Sequence, residues 1–338
     1  MSVNERPGVY TNINVSGGIL GSGGGKAVGL AAQCDTAQGV KRVTGYLEAV
    51  SAFGASSTMA KLAKVLFENG AGEVYCAAVA DGDYEAAFAL LMEKSEVKFM
   101  VCDSADGEVH NAMREAIEKG DEKSKYRLGV VETALSARDE IIAAAKALNC
   151  EKICLVSHHD DELTGAAAAA VCGAFAAQED PAVPFNGAQL YGIGDIGSNF
   201  SDADIAALVQ GGVMPLETIG GSKVIVRGIT TRSETGGVQD NTWREVNTIL
   251  IVNSIIPEIR DGLRAKFARA KNTAQTRGAV RTQVTVALED KRKKEIIDSY
   301  GQVSVKADES DPTVCIVEFS FAVAHGMNRI ELMAYITV

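Results

Sequence analysis

Residues 74–102 read VYCAAVADGDYEAAFALLMEKSEVKFMVC. Two short apolar runs, VYCAAV (74–79) and VKFMVC (97–102), enclose a segment (83–94) with the spacing of an amphipathic helix. That order is the signature of a βαβ unit. It recurs on both sides. LGVV (128–131) and KICLVS (152–157) are further strand candidates, and 57–69, 107–119 and 134–148 are further helix candidates. Apolar runs alternating with helices predict an α/β domain with a mainly parallel sheet. The alanine-rich LTGAAAAAVCGAFAAQ (163–178) reads as a helix packed closely on all sides. SDADIAALVQGG (201–212) reads as a short helix with a Ser or Asp cap and a glycine stop.

After Gly220-Gly221 the texture changes. KVIVRGITT (223–231) reads as a strand. SIIPEIRDGLRAKFARAK (254–271) reads as a helix with Ile255, Ile259, Leu263 and Phe267 on one face. A second helix is expected over 279–297 and another strand at TVCIVEFSFAV (313–323). Both ends of the sequence alternate with period two. Val9, Thr11, Ile13 and Val15 oppose Tyr10, Asn12 and Asn14, while Ile330, Leu332, Ala334, Ile336 and Val338 oppose Glu331, Met333, Tyr335 and Thr337. A strand needs partners for its N–H and C=O groups. These two either pair within their own chain or add to the sheet edge of another copy. A head-to-tail contact of the second kind generates rings or helical filaments.

Composition narrows the function classes. A length of 338 residues suggests two domains, and 46% apolar residues fill ordinary cores. No apolar run approaches the ~20 residues of a membrane helix, and the N-terminus has neither a basic start nor an apolar core of a secretory signal. Seven cysteines, scattered and odd in number, give no disulfide framework and suggest a reducing site of folding. The net charge of −11 argues against general nucleic-acid binding. It is unevenly spread: residues 223–338 hold 17 basic and 14 acidic residues, leaving 16 and 30 before them. Over 257–281 seven basic residues face two acidic ones. Arg260, Arg264, Lys266, Arg269 and Lys271 there form either a solvated face or a docking surface for an acidic partner.

Three stretches imitate chemistry. GGILGSGGGKAVGL (17–30) is glycine-rich and contains a lysine, but a phosphate loop needs G-x-x-x-x-G-K-[ST]. Leu20 stands where the first glycine belongs and Ala27 where the hydroxyl belongs. Gly17, Gly18, Gly21, Gly23, Gly24 and Gly25 read instead as a hinge. GIGDIG (192–197) has the glycines of a dinucleotide loop, but Ser198-Asn199-Phe200 intervene before the next helix. CEKICLVSHHDDE (150–162) gathers Cys150, Cys154, His158, His159, Asp160 and Asp161. Strand alternation splits that group between two faces, though ends of parallel strands are where α/β enzymes place chemistry. No catalytic, cofactor or metal residue is assigned. The enzymatic alternative is a nucleotide- or metal-dependent α/β enzyme using 150–162 or the 17–26 loop.

The order of several short motifs resembles the contractile phage tail sheath family of phages, R-type bacteriocins and related injection systems. The motifs are RPGVY (6–10), AVGLAAQCDTAQG (27–39), YLEAVSAFG (46–54), LFENGAGEVYCAAV (66–79), VPFNGAQLYGI (183–193) with IAALVQGGV (205–213), and MNRIELMAYITV (327–338). The middle, about 80–180, matches loosely, and the Phe-Glu-Pro-Asn segment of longer sheaths is lacking, which favours the compact subtype. The resemblance implies a non-enzymatic subunit without cofactor. Its fold would combine an N-terminal arm (1–20), an outer α/β body (21–220), an inner α+β domain (221–325) and a C-terminal arm (326–338). Hexameric rings would stack helically around a tail tube and contract to drive it through a target envelope. The arm strands Val9, Tyr10, Thr11, Ile13, Val15, Ile330, Leu332, Tyr335, Ile336 and Val338 would complete sheets in neighbouring copies. Arg260, Arg264, Lys266, Arg269 and Lys271 would face the tube. Partners would be the tube, baseplate and tail terminator proteins, with neither nucleic acid nor membrane, in a tail-like particle assembled in the bacterial host cytoplasm.

Overall fold

The computed structural model describes residues 25–34, 39–196, 200–328 and 333. The arm residues Val9 to Val15 and Ile330 to Val338 lie outside the described residues, as do Gly17, Gly18, Gly21, Gly23 and Gly24.

The chain runs β1 (Ala27–Gln33), β2 (Val40–Val43), α1 (Tyr46–Phe53), α2 (Thr58–Glu68), β3 (Glu73–Val79), α3 (Tyr84–Glu93), β4 (Val97–Cys102), α4 (Gly107–Glu122), β5 (Leu128–Glu132), α5 (Arg138–Leu148), β6 (Ile153–Val156), α6 (Ala166–Ala177), β7 (Gln189–Leu190), α7 (Asp202–Gln210) and β8 (Val213–Met214). These make a seven-stranded sheet of order β2-β3-β1-β4-β5-β6-β8. Every pair is parallel except β2 with β3. The expected α/β body with a mainly parallel sheet is therefore present. Its strands are buried on both faces, which is why they read as unbroken apolar runs. Along β4, Phe99 and Val101 enter one core with α2 and α6, while Met100 and Cys102 enter another with α3, α4 and α5. At the rims, β2 carries exposed Lys41 and Arg42 and β8 is two residues long, devices that discourage further pairing.

Helix α6 decides how tightly the body closes. Its small side chains let it lie within touching distance of α2, and ten of its twelve residues are buried. A Cβ at Gly173 would lie 2.7 Å from the Asn69 Cβ and 2.8 Å from the Leu66 carbonyl oxygen. The helix at 201–212 is α7, with Ser201 and Asp204 forming a capping box.

Beyond the body come β9 (Leu216–Ile219), β10 (Ser222–Ile225), β11 (Glu234–Thr235), β12 (Val238–Gln239), α8 (Val246–Phe267), α9 (Ala274–Lys293), β13 (Ile297–Tyr300), β14 (Ser304–Ala307), β15 (Cys315–Glu318) and β16 (Phe321–Val323). Here the sequence reading is corrected in four places. The strand expected over 223–231 ends at Ile225, because Thr231 turns back to the body and exchanges hydrogen bonds with Cys150 at 2.9–3.0 Å. The helix expected from 254 begins at Val246, and Pro257 sits inside it. A proline with a β-branched run before it reads as a helix start, yet packing of Val246, Ile249 and Leu250 into the body core holds the earlier turns helical. The helix expected over 279–297 is α9, shifted to 274–293, and Ile297 begins a strand. Finally, 313–323 is two strands, because the chain bends at Phe319-Ser320 between β15 and β16.

Helix α8 bridges two cores. Its first turns belong to the body, whereas Ile251, Ile255 and Ile259 pack with Val280, Val284 and Leu288 of α9 and with Val303 and Val305.

Enlarging Gly173 tests the closeness of α6. Gly173→Val should destabilise the protein by about 1–3 kcal/mol in chemical denaturation, as overpacking does. Retention of parental stability would show that the α2–α6 approach is not a tight constraint.

Candidate functional site

Strands β13 and β14 run along one side of a hairpin, β15 and β16 along the other. Ile297 pairs with Val323 and Tyr300 with Phe321, then Ser304 with Glu318 through to Ala307 with Cys315. Between the two ladders Gly301 N–H donates to Ser320 O at 2.9 Å, so the four strands form one long antiparallel ribbon. One side packs on α9 through Ile297, Val303 and Val305. Toward the tip, Val314 and Ile316 are 43% and 39% exposed. The tip is rigid: Asp308 accepts from the Ser310 and Asp311 N–H groups, and Asn272 donates to Pro312 O and Val314 O at 2.8 and 3.1 Å. Among the described residues neither long edge of the ribbon is paired. Two strands alone are marginal, and unpaired edges are templates for another strand.

Both chain ends leave from fixed points. Lys26 N–H donates to Ala176 O at 2.9 Å, and Gly72 N–H donates to Lys26 O at 3.3 Å. A Cβ at Gly72 would lie 1.9 Å from the Gly25 carbonyl oxygen, so the glycine stretch is clamped to the body at Gly25. Past β16, Asn328 accepts from Asn186 at 2.8 Å, and Gly326 lies where a Cβ would strike Pro184.

The basic residues of α8 divide. The Arg260 guanidinium stands 5.6 Å from the Tyr126 ring centroid and reaches the Ser124 carbonyl, so it faces the body. Lys266 donates to Gln283 of α9. Arg264, Arg269 and Lys271 are exposed, with no ion pair among the described residues.

The chemical look-alikes are occupied by the protein's own groups. The Lys26 ammonium donates to Gln178 O at the C-terminus of α6, where a cation complements the helix dipole. Burial lowers its pKa. In the 150–162 stretch, Cys150 and Cys154 are buried in the body, and burial raises both thiols, Cys150 to about 12. Asp160 accepts from Glu162 and Leu163 N–H at 3.0 and 3.2 Å and from Gly194 N–H at 2.6 Å. That last bond seats residues 192–196 of the glycine loop as a structural strap. Among the described residues no group of three His, Cys, Asp or Glu side chains is arranged to hold a metal ion.

One residue escaped the sequence reading. Glu132, the fully buried last residue of β5, accepts from His159 Nδ1 at 2.9 Å, Gly165 N–H at 2.7 Å and Ala168 N–H at 3.1 Å. Its carboxyl thus fills the N-terminus of α6, the place an anionic ligand takes in many α/β folds. Burial raises its pKa, and these bonds partly offset the rise. Its partners lie 27–36 residues away, so no local motif marks it.

Comparisons with known proteins agree over both parts of the chain. The phage tail sheath protein central domain matches residues 77–231, and the phage tail sheath C-terminal domain matches 238–337. Among solved structures, a chain of the anti-feeding prophage baseplate aligns with a TM-score of 0.76 at 16% identity, covering 99% of this chain and 100% of that one. The contracted helical sheath of the anti-feeding prophage aligns at 0.72 and 16% identity, covering 98% and 99%. A sheath tail protein from Listeria innocua aligns at 0.70 and 11% identity, covering 90% and 93%. Comparison with curated protein sequences gave no match.

Glu132→Ala leaves two buried N–H groups without an acceptor and should cost about 3 kcal/mol or more. Glu132→Gln should cost less at neutral pH. A carboxyl with a raised folded pKa takes up a proton in the native state first, so its contribution grows as pH falls and is lost as pH rises through the folded pKa. The stability gap between the parent and Glu132→Gln should therefore widen from pH 7 to pH 5 in urea titrations. A constant gap would contradict the burial of an ionisable group there.

Proposed function

Because the chain belongs to the phage tail sheath protein family, we propose that it is the structural subunit of a contractile sheath, joined to its neighbours by exchanged strands. The observation that carries this reading is the α9-backed ribbon, both of whose edges are unpaired among the described residues. The terminal segments carry the period-two alternation of strands in their sequence, and each joins the described part at a clamped point beside glycine. A strand added to a ribbon edge gains a backbone ladder without any change inside the body. Repetition of that contact head-to-tail builds hexameric rings and a helical stack. The glycines of 17–24 then let a body turn while its arm stays paired to a neighbour. On this reading 1–20 and 326–338 are arms, 21–220 is the outer body and 221–325 the inner domain.

Arg264, Lys266, Arg269 and Lys271 are the tube-facing cations of this proposal, since they lie in the last turn of α8 and just after it, past the body contact of Arg260. Tube, baseplate and terminator proteins are the expected partners, in a tail-like particle assembled in the host cytoplasm. The self-occupied ligand positions at Asp160 and Glu132 favour a structural role over the enzymatic alternative.

Removal of residues 1–16 or 327–338 should abolish polymerisation in negative-stain microscopy while circular dichroism stays native. Polymers of normal length from either truncation would sink the strand-exchange reading. Charge reversal at Arg264, Arg269 and Lys271 should weaken co-assembly with a tube protein, and the parental interaction should fall steeply with salt. Undiminished co-assembly of the reversed protein at low salt would remove this surface as the tube contact.

A further inference from the structure

Between the body and α8 lies a crevice of about 530 Å³. Its floor is formed by Val97, Phe99 and Leu128 at the starts of β4 and β5, and its far wall by Asn253, Pro257 and Arg260 of α8. Five cations line it, namely Lys26, Lys98, Lys125, Arg127 and Arg260, against the carboxylates Glu179 and Asp261. In a chain of net charge −11 this is a local reversal of sign.

What holds those cations matters more than their number. Lys26 donates to Gln178 O, Lys98 to Ser95 O and Lys125 to Met92 O. Arg127 donates to the carbonyls of Met92, Lys94 and Lys125, and Arg260 to that of Ser124. Carbonyl oxygens orient a cation without neutralising it. The one ion pair among these five is Arg260 with its neighbour Asp261 at 3.7 Å. Arg127 is 2% exposed, and its Nε has no hydrogen-bond partner. Burial drives its pKa down to about 10, with Glu96 partly offsetting, and burial then Arg127 lower that of Lys98. Positive charge is thus concentrated and oriented in a partly desolvated cleft, with Glu179, Asp261 and Glu96 offsetting only part of it, and an anion there interacts far more strongly than in water.

We propose that this crevice is a binding site for a compact multivalent oxyanion, with inorganic phosphate as its simplest representative, held between Lys98 and Arg127 of the body and Arg260 of α8. An anion there ties the helix that carries the inner domain to the body. It does so beside Pro257, where the N–H that would bond the Asn253 carbonyl is missing and α8 is easiest to bend. Occupancy therefore stiffens the connection between the two cores that α8 joins.

Calorimetric titration of the full-length protein with inorganic phosphate, at ionic strength held constant with chloride, tests the site. Saturable uptake of one phosphate per chain is expected, with a matching rise in the thermal midpoint. Lys98→Ala/Arg260→Ala should bind at least about tenfold more weakly, as loss of charge-assisted hydrogen bonds requires. Both side chains are surface-accessible, so this variant should fold, as circular dichroism can verify. Arg264→Ala/Lys271→Ala, outside the crevice, should bind as the parent does. Absence of saturable binding, or equal affinity in the folded Lys98→Ala/Arg260→Ala variant, would overturn the proposal.

Discussion

A backbone ladder needs two sides, and the ribbon β13–β16 has only its internal one among the described residues. Its inner side is paid for by the apolar contact with α9, but contact on one face does nothing for the N–H and C=O groups along the edges. The seven-stranded sheet of the same chain treats its rims differently, with charged Lys41 and Arg42 on β2 and a stub at β8. One sheet is closed to addition and the other is open to it. On the strand-exchange proposal, that asymmetry favours addition at the ribbon over addition at the rims of the body sheet.

The body also fills with its own groups the positions where α/β sheets with glycine loops receive ligands. In enzymes of this architecture, helix N-termini and strand ends receive the ligand. Here Glu132 caps α6, Asp160 holds the 192–196 strap and Lys26 caps the far end of α6. Each is a charged group that bonds backbone groups, with Glu132 accepting from the His159 side chain as well. Such bonds tie loops to helices.

The parallel sheet was legible in the sequence because burial on both faces writes each strand as an apolar run, and the helices between keep their own period. Chain pairing within the ribbon was not legible. Alternation continues through Phe319-Ser320, so one apolar stretch looked like one strand, and the bend comes from the opposite side of the ribbon at Gly301. The start of α8 was hidden for a related reason: Pro257 ends helices in isolation, and only the body core around Val246 and Leu250 shows that the helix extends through it. Arg260 and Arg264 are one turn apart and equivalent by composition. Their difference is set by Tyr126, more than a hundred residues away in sequence.

Isotope-resolved cross-linking most directly tests whether ribbon edges are completed by other copies. Cys315 lies on β15 and is the exposed one of the seven cysteines. Pairing it with an Ile336→Cys substitution, in polymers grown from mixed light and heavy subunits, labels a ribbon edge and a terminal strand together. Strand exchange predicts disulfides that join light to heavy chains at the frequency of random mixing. Disulfides confined to light–light and heavy–heavy pairs within single chains would contradict it.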